Sequence, residues 1–319
     1  MVQARKIIAI ICVVLLFIII VITMGIILFI EWVDYRSYEV ARKQCYDYVQ
    51  FACDHPVTNN TTNSPLSPIM GGKDALEGAF PHMACLEMAE ETTANRCGAT
   101  LISAKFVLTA AHCVSRYNTT RVTVKLGSVY CASGKIHGVK KMIIHRSFDS
   151  KTAANDIALL ELDVKVDFSP YIRPICLSTI IDYGVKNLFV SGWGRDENNK
   201  LSDRLQVVET YVDERVLATC VNQFGFETHP TKICAAHPTQ RKSACQGDSG
   251  GPLQSLMDDQ LCPNVYKQIG IVSHDANVNC TVKANQPHVV AYTKVRPYVP
   301  WIVKNVWPEL LPNTLGLLT

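Results

Sequence analysis

Three short stretches carry residue types that could act together on a chemical bond: Thr109-Ala110-Ala111-His112-Cys113, Asn155-Asp156-Ile157-Ala158-Leu159-Leu160 and Gly247-Asp248-Ser249-Gly250-Gly251-Pro252. A serine hydroxyl is a poor nucleophile until a base takes its proton. An imidazole can take that proton and return it to a leaving group, while a carboxylate holds the ring in the required tautomer. His112, Asp156 and Ser249 supply such a set. Glycines around Ser249 let the backbone turn sharply, so that the amides of Gly247 and Ser249 can point together at a developing oxyanion. One such donor is worth about 3 kcal/mol of barrier. Each residue alone has an ordinary reading: a histidine beside a cysteine packs in a core, an aspartate caps a turn, and Gly-Asp-Ser-Gly-Gly makes a glycine turn. Their conjunction in one chain argues against all three.

Residues so far apart need a fold to bring them together. From Ile69 onward the chain has many short runs of β-branched and aromatic residues separated by turn residues, among them Arg121 to Leu126, Asp156 to Leu162, Leu188 to Ser191 and Lys267 to Ser273. That pattern predicts an all-β domain. One helical pattern closes it, with Tyr298, Trp301, Ile302, Val306 and Trp307 recurring before Pro308. At 319 residues and 48% hydrophobic, the chain can bury a genuine core. The net charge of +3 comes from interspersed signs, with no basic block to track a phosphate backbone, so nucleic acid is not an expected partner.

Of thirteen cysteines only Cys12 lies in the apolar N-terminal run, and the others are spread from Cys45 to Cys280. An even set in this arrangement predicts disulfides and an oxidising compartment. Zinc has little support, because no CxxC pair or HExxH run is present. No charged side chain occurs from Ile7 to Ile30, a run long enough to cross a hydrocarbon core of about 30 Å. A cleaved signal peptide, and hence a secreted protein, is the alternative, but Phe29-Ile30-Glu31-Trp32 offers no small-residue cleavage site. Arg5 and Lys6 before the run leave the N-terminus in the cytoplasm and the rest outside, a single-pass type II arrangement at the plasma membrane. Sequons at Asn59, Asn60, Asn118 and Asn279 suit that side. The expected division is a cytoplasmic tail over 1–6, a transmembrane signal-anchor over 7–30, a stem and propeptide over 31–68 whose last part is a Pro/Asn/Thr/Ser-rich linker, and a catalytic domain over 69–319.

Taken with Gly192-Trp193-Gly194, the three motifs resemble those of the trypsin-like serine peptidase family over roughly Ile69 to Trp307. The resemblance implies two six-stranded antiparallel β-barrels of the chymotrypsin-like kind with a C-terminal helix, preceded here by a transmembrane helix. It implies a serine endopeptidase zymogen with His112, Asp156 and Ser249 as catalytic residues and the amides of Gly247 and Ser249 as oxyanion hole. The alternative is a catalytically silent homologue that binds or regulates. It further implies disulfides Cys97 to Cys113, Cys220 to Cys234 and Cys245 to Cys280, and a propeptide link from Cys176 to Cys45, with Cys53 as the other choice. Cys85, Cys131 and Cys262 are left unassigned.

Ile69-Met70-Gly71-Gly72 resembles the family's new N-terminus, whose ammonium would bury itself against Asp248. Pro68 departs from the family, which has an ordinary cleavage residue there. A protease cutting after Leu66 and a dipeptidyl peptidase removing Ser67-Pro68 would together expose Ile69. At the expected substrate pocket Ser243 stands where relatives selective for Lys or Arg carry an aspartate, so a basic P1 residue is not supported; Ser273, Asp275 and Val290 complete the expected pocket. A medium apolar P1 residue is expected. No cofactor is implied, and the segment from Leu126 to His145 has no carboxylates for calcium. Phe80-Pro81-His82-Met83-Ala84 and Tyr298-Val299-Pro300-Trp301-Ile302 are similar to arthropod clip-domain proteases of immune or developmental cascades, although only Cys45 and Cys53 precede the catalytic domain. Expected partners are a protein or peptide substrate, an upstream activating protease, a serpin-type inhibitor and a membrane.

Overall fold

A computed structural model describes residues 2–57, 73–89, 94–180, 188–195, 200–212, 214–224, 231–236, 244–257, 262, 264–275 and 289–312. The chain separates into two units, one of Met1–Val40 with Val299–Thr319 and one of Ala41–Tyr298.

The first unit contains most of helix α1, which runs Val2–Asp54 in all. This helix is long and apolar enough to cross a membrane, with a mean hydropathy of 3.4 in its most apolar 18-residue window. Its large side chains from Val13 to Leu28 are exposed, as suits a surface solvated by lipid rather than water. The closing helical pattern also forms in this unit, as Val299–Val306, and ends at Pro308.

In the second unit, the last turns of α1 form the part of the stem that precedes the linker. Disulfides join Cys45 to Cys176 and Cys53 to Cys262. Between them Ala52 packs with Cys262 and Val265, and the rings of Tyr48 and Phe51 meet Phe168 edge-on at 6.0 and 5.8 Å. The stem is thus tied to the domain by two covalent links and an apolar contact.

The strands are β1 (Lys73–Asp74), β2 (Met83–Ala89), β3 (Ala94–Leu101), β4 (Phe106–Thr109), β5 (Val122–Leu126), β6 (Lys135–Ile144), β7 (Ala158–Leu162), β8 (Cys176–Leu177), β9 (Leu188–Gly192), β10 (Gln206–Thr210), β11 (Lys232–Ala236), β12 (Pro252–Leu256), β13 (Tyr266–Asp275) and β14 (Val289–Lys294). Strands β2-β3-β4-β7-β6-β5 close into an antiparallel barrel. Strand β5 shows why: Val122, Val124 and Leu126 point inward while Thr123 and Lys125 lie half-exposed between them, the period-two pattern of a sheet with one wet face. Among the described residues the second barrel is open, six antiparallel strands in the order β10-β9-β12-β13-β14-β11, with β1 added beside β10 and β8 paired in parallel with β13. The two six-stranded barrels and all-β class expected from the sequence are therefore present. Leu188, Val190, Leu253, Ile269 and Tyr292 fill the core of the second.

The two sheets meet through backbone. Gly98 N on β3 donates to Ser249 O at 2.7 Å, and a Cβ at Gly98 would lie 2.8 Å from Gly251 Cα. Only glycine permits this approach. Trp193 Nε1 donates to Val129 O at 2.7 Å, tying the turn after β9 to the loop after β5. A further disulfide, Cys85 to Cys131, joins β2 to the segment between β5 and β6 and accounts for two of the cysteines unassigned from sequence.

Candidate active site

His112 lies on a single helical turn, α2 (Ala111–Val114), directly after β4. Cys113 on this turn is bonded to Cys97 of β3, so the turn is held to the barrel wall. Those two sulfurs lie close to His112, but in a disulfide they offer no thiolate to a metal.

Asp156 stands just before β7. Asn155 adopts a left-handed backbone with φ of 51°, which asparagine tolerates better than most residues. Its side chain anchors the turn by donating from Nδ2 to Ser147 O and accepting from Tyr298 Oη, each at 2.8 Å. Asp156 thereby enters the interior fully buried. Its Oδ1 accepts from the His112 backbone amide at 2.9 Å, and its Oδ2 lies 2.7 Å from His112 Nδ1 and accepts from Ser273 Oγ at 2.6 Å. Burial alone would raise this carboxyl, but the bonds from His112 and Ser273 outweigh it and hold the group below its usual range. With Nδ1 engaged by a carboxylate, Nε2 is the ring nitrogen left for exchange.

His112 and Ser249 line one open cleft of about 330 Å³, together with Phe148, Ala244, Gln246, Val272 and His274. Among the described residues Ser249 Oγ makes no hydrogen bond to His112, and the amides of Gly247 and Ser249 have no acceptor, whereas their neighbours Asp248, Gly250 and Gly251 donate to Cys245 O, Val272 O and Asp248 O. Gly250 has φ of 81° and its position faces Thr109 and Gly98, so the turn carrying the hydroxyl is packed directly against the strand that leads to His112. The loop bearing Phe148 was not singled out from sequence, because nothing in its residue types distinguishes it from any other turn.

The Asp248 carboxyl is enclosed, although the residue as a whole is only half-buried. It accepts from Gly194 N at 2.7 Å and Cys245 N at 2.9 Å. A Cβ on Gly192 or Gly194 would strike this carboxylate, which explains both glycines of Gly-Trp-Gly. Burial pushes the carboxyl up to about 6, and two amide bonds offset only part of that.

A disulfide also joins Cys220 to Cys234. The alternative pairing of Cys53 with Cys176 is not the one formed, since Cys53 reaches Cys262. Val290 is fully buried in a cluster with Ala244 and Val272, two residues that also line the cleft. Asn118 is exposed and accepts from Thr120 Oγ1 at 2.8 Å. Ile69, Ser243, Asn59, Asn60, Asn279 and Cys280 lie outside the described residues, and of Asp275 only the backbone is described, paired with Val290.

The Trypsin family matches residues 69–302. The chain belongs to the trypsin family of serine proteases. Among curated relatives it is 33% identical over 252 residues to serine protease filzig of Drosophila melanogaster, covering 73% of this chain and 14% of that protein. It is 32% identical over 243 residues to mouse cathepsin G, covering 75% and 85%. With human transmembrane protease serine 11B it shares 33% identity over 262 residues, covering 78% of this chain and 58% of the relative. Both insect proteases and transmembrane proteases are thus among its relatives, and the apolar N-terminal helix is consistent with a membrane-anchored protease.

Proposed function

We propose that this chain is the zymogen of a serine endopeptidase, held at the cell surface by residues 7–30 with its catalytic domain outside. The observation that carries the reading is the His112 to Asp156 pair at 2.7 Å, opening on the same cleft as Ser249. His112 Nε2 takes the Ser249 proton as Oγ attacks a peptide carbonyl, then delivers it to the leaving amine. Asp156 stabilises the imidazolium that forms. The amides of Gly247 and Ser249, without an acceptor among the described residues, receive the oxyanion. A water molecule repeats the sequence on the acyl-enzyme.

Activation frees the Ile69 ammonium, which pairs with the Asp248 carboxylate. An enclosed carboxyl raised to about 6 and served, among the described residues, by two amides and no cation supports this. Cleavage after Leu66 and removal of Ser67-Pro68 by a dipeptidyl peptidase produce that terminus. Disulfides from Cys45 and Cys53 then keep the cut domain on its stem. A place in an extracellular cascade, with a serpin-type inhibitor, is inferred from the resemblance of Phe80-Pro81-His82-Met83-Ala84 and Tyr298-Val299-Pro300-Trp301-Ile302 to clip-domain proteases. Fluorophosphonate labelling of the cut protein tests the reading: covalent modification of Ser249, with Ile69 as the sequenced N-terminus, is the expected result. An inert Ser249 would favour a silent homologue, and a terminus other than Ile69 would reject the two-step activation.

A further inference from the structure

Lys232 is nearly fully buried at the start of β11, with 6% of its surface exposed. Its Nζ donates to Ser273 Oγ at 2.8 Å and to Thr293 Oγ1 at 3.1 Å, and among the described residues it forms no ion pair. Removing an ammonium from water without a carboxylate is costly, so the site must gain something from the charge or tolerate it. The geometry shows what the charge does. An ammonium has hydrogens and no lone pair, so Ser273 Oγ can only accept from it. The one proton of the Ser273 hydroxyl is then committed to Asp156 Oδ2, 2.6 Å away, on the oxygen that also faces His112 Nδ1. Hydrogen bonds thus run in one direction from Lys232 through Ser273 to Asp156, and His112 donates to the same oxygen from the other side.

We propose that Lys232 is a positioning residue for hydrolysis, its ammonium committing the Ser273 hydroxyl to Asp156 so that alignment of His112 depends on a buried amine remaining protonated. This rests on the reading of His112, Asp156 and Ser249 as catalytic. Loss of the proton gives Nζ a lone pair. Ser273 can then turn its hydrogen to the amine, and Asp156 loses both that donor and a nearby positive charge.

Burial brings the Lys232 ammonium down to about 8, opposed by the charge of Asp156. The other ionisable groups on the surrounding elements are Tyr292 and Lys294 on β14, Tyr266, Lys267, His274 and Asp275 on β13, Tyr298 beside Asn155, and Glu214 and Arg215 on the helix Glu214–Phe224. On β11 itself Cys234 is in a disulfide. Among the groups whose side chains are described, Asp156, which also holds His112, is the one whose charge bears on the ammonium.

The test is the second-order rate at which a fluorophosphonate modifies Ser249 in the activated full chain, followed from pH 6 to 10, which needs no knowledge of the natural substrate. The wild type is expected to lose roughly three- to tenfold in rate as pH rises through 8. Lys232→Met should lack that inflection, and Lys232→Arg should carry it beyond pH 10 because a guanidinium keeps its proton. Thr293→Val, which withdraws one of the two acceptors, should move it down by about one pH unit and decides the matter if the Lys232 variants do not fold. An active wild type whose inflection survives in Lys232→Met, or stays in place in Thr293→Val, overturns the assignment of Lys232 alone. A wild type that takes no label at any pH removes the catalytic reading and the inference with it.

Discussion

Two aspartates, one in each half of the catalytic domain, show what a buried carboxylate requires. Asp156 at the edge of the closed barrel accepts two backbone or ring N–H bonds from His112 and a hydroxyl from Ser273, and these outweigh its burial. Asp248, in the turn before β12 of the open sheet, accepts two amides and, among the described residues, no cation, and its burial wins. The first site is complete as the chain folds. The second lacks a charged partner among the described residues, which fits the proposal that the chain is an inactive precursor whose site beside Ser249 is assembled after a cut elsewhere.

Substitutions at the two positions should therefore fail in different ways. Asp156→Asn preserves shape but favours the wrong histidine tautomer, and a loss of about 10⁴-fold in kcat is expected for the activated enzyme. A loss under tenfold in a peptide hydrolysis assay would remove Asp156 from its role. Asp248→Asn leaves the freed ammonium without a charged partner, at about 3 to 5 kcal/mol, so activity after cleavage should fall by roughly 10²- to 10⁴-fold. Full activity of this variant would break the comparison.

The pH dependence of stability should have opposite signs at the two sites. In the uncut chain the Asp248 carboxyl sits at about 6, above the value of about 3.9 it has unfolded, so the stability it contributes is full below pH 4 and lost as pH rises through 6. The decline is about 3 kcal/mol and should be absent from Asp248→Asn in urea unfolding. Asp156 is held low, so its contribution is present above about pH 4 and lost as pH falls. A matching decline in Asp248→Asn would show that another group is responsible. The smallest effect belongs to Gly194→Ala, whose added methyl meets the Asp248 carboxylate; thermal unfolding should report a loss of about 1 to 3 kcal/mol. An unchanged melting temperature would mean that the carboxylate can move aside.

Much of the fold was legible because strand periodicity is local. Val122, Val124 and Leu126 alternate in the chain as they do in the barrel, and the runs ending at Leu162 and Ser273 became β7 and part of β13. The helical stem was less legible, since a polar sequence with scattered aromatics becomes an ordered helix here against Phe168 and two distant cysteines. The partners of Cys53 and Cys85 followed the same rule: cysteine spacing does not say which sulfurs folding brings together. Lys232 was missed for a related reason. A single lysine before an Ile-Cys-Ala-Ala run reads as the exposed end of a strand, and only the neighbours supplied by β13 and β14 make it a buried donor.

By itself the sequence determined the family, the strand-rich class and the three residue types able to perform acyl transfer, because these are written in local motifs and their order. Tertiary structure alone decided which carboxylate has donors that outweigh its burial and which does not, and where the stem is stapled. It also placed an ammonium behind Ser273 and Asp156. Each of those depends on groups from separate strands meeting in a medium that screens charge poorly, and no local stretch of chain carries that information.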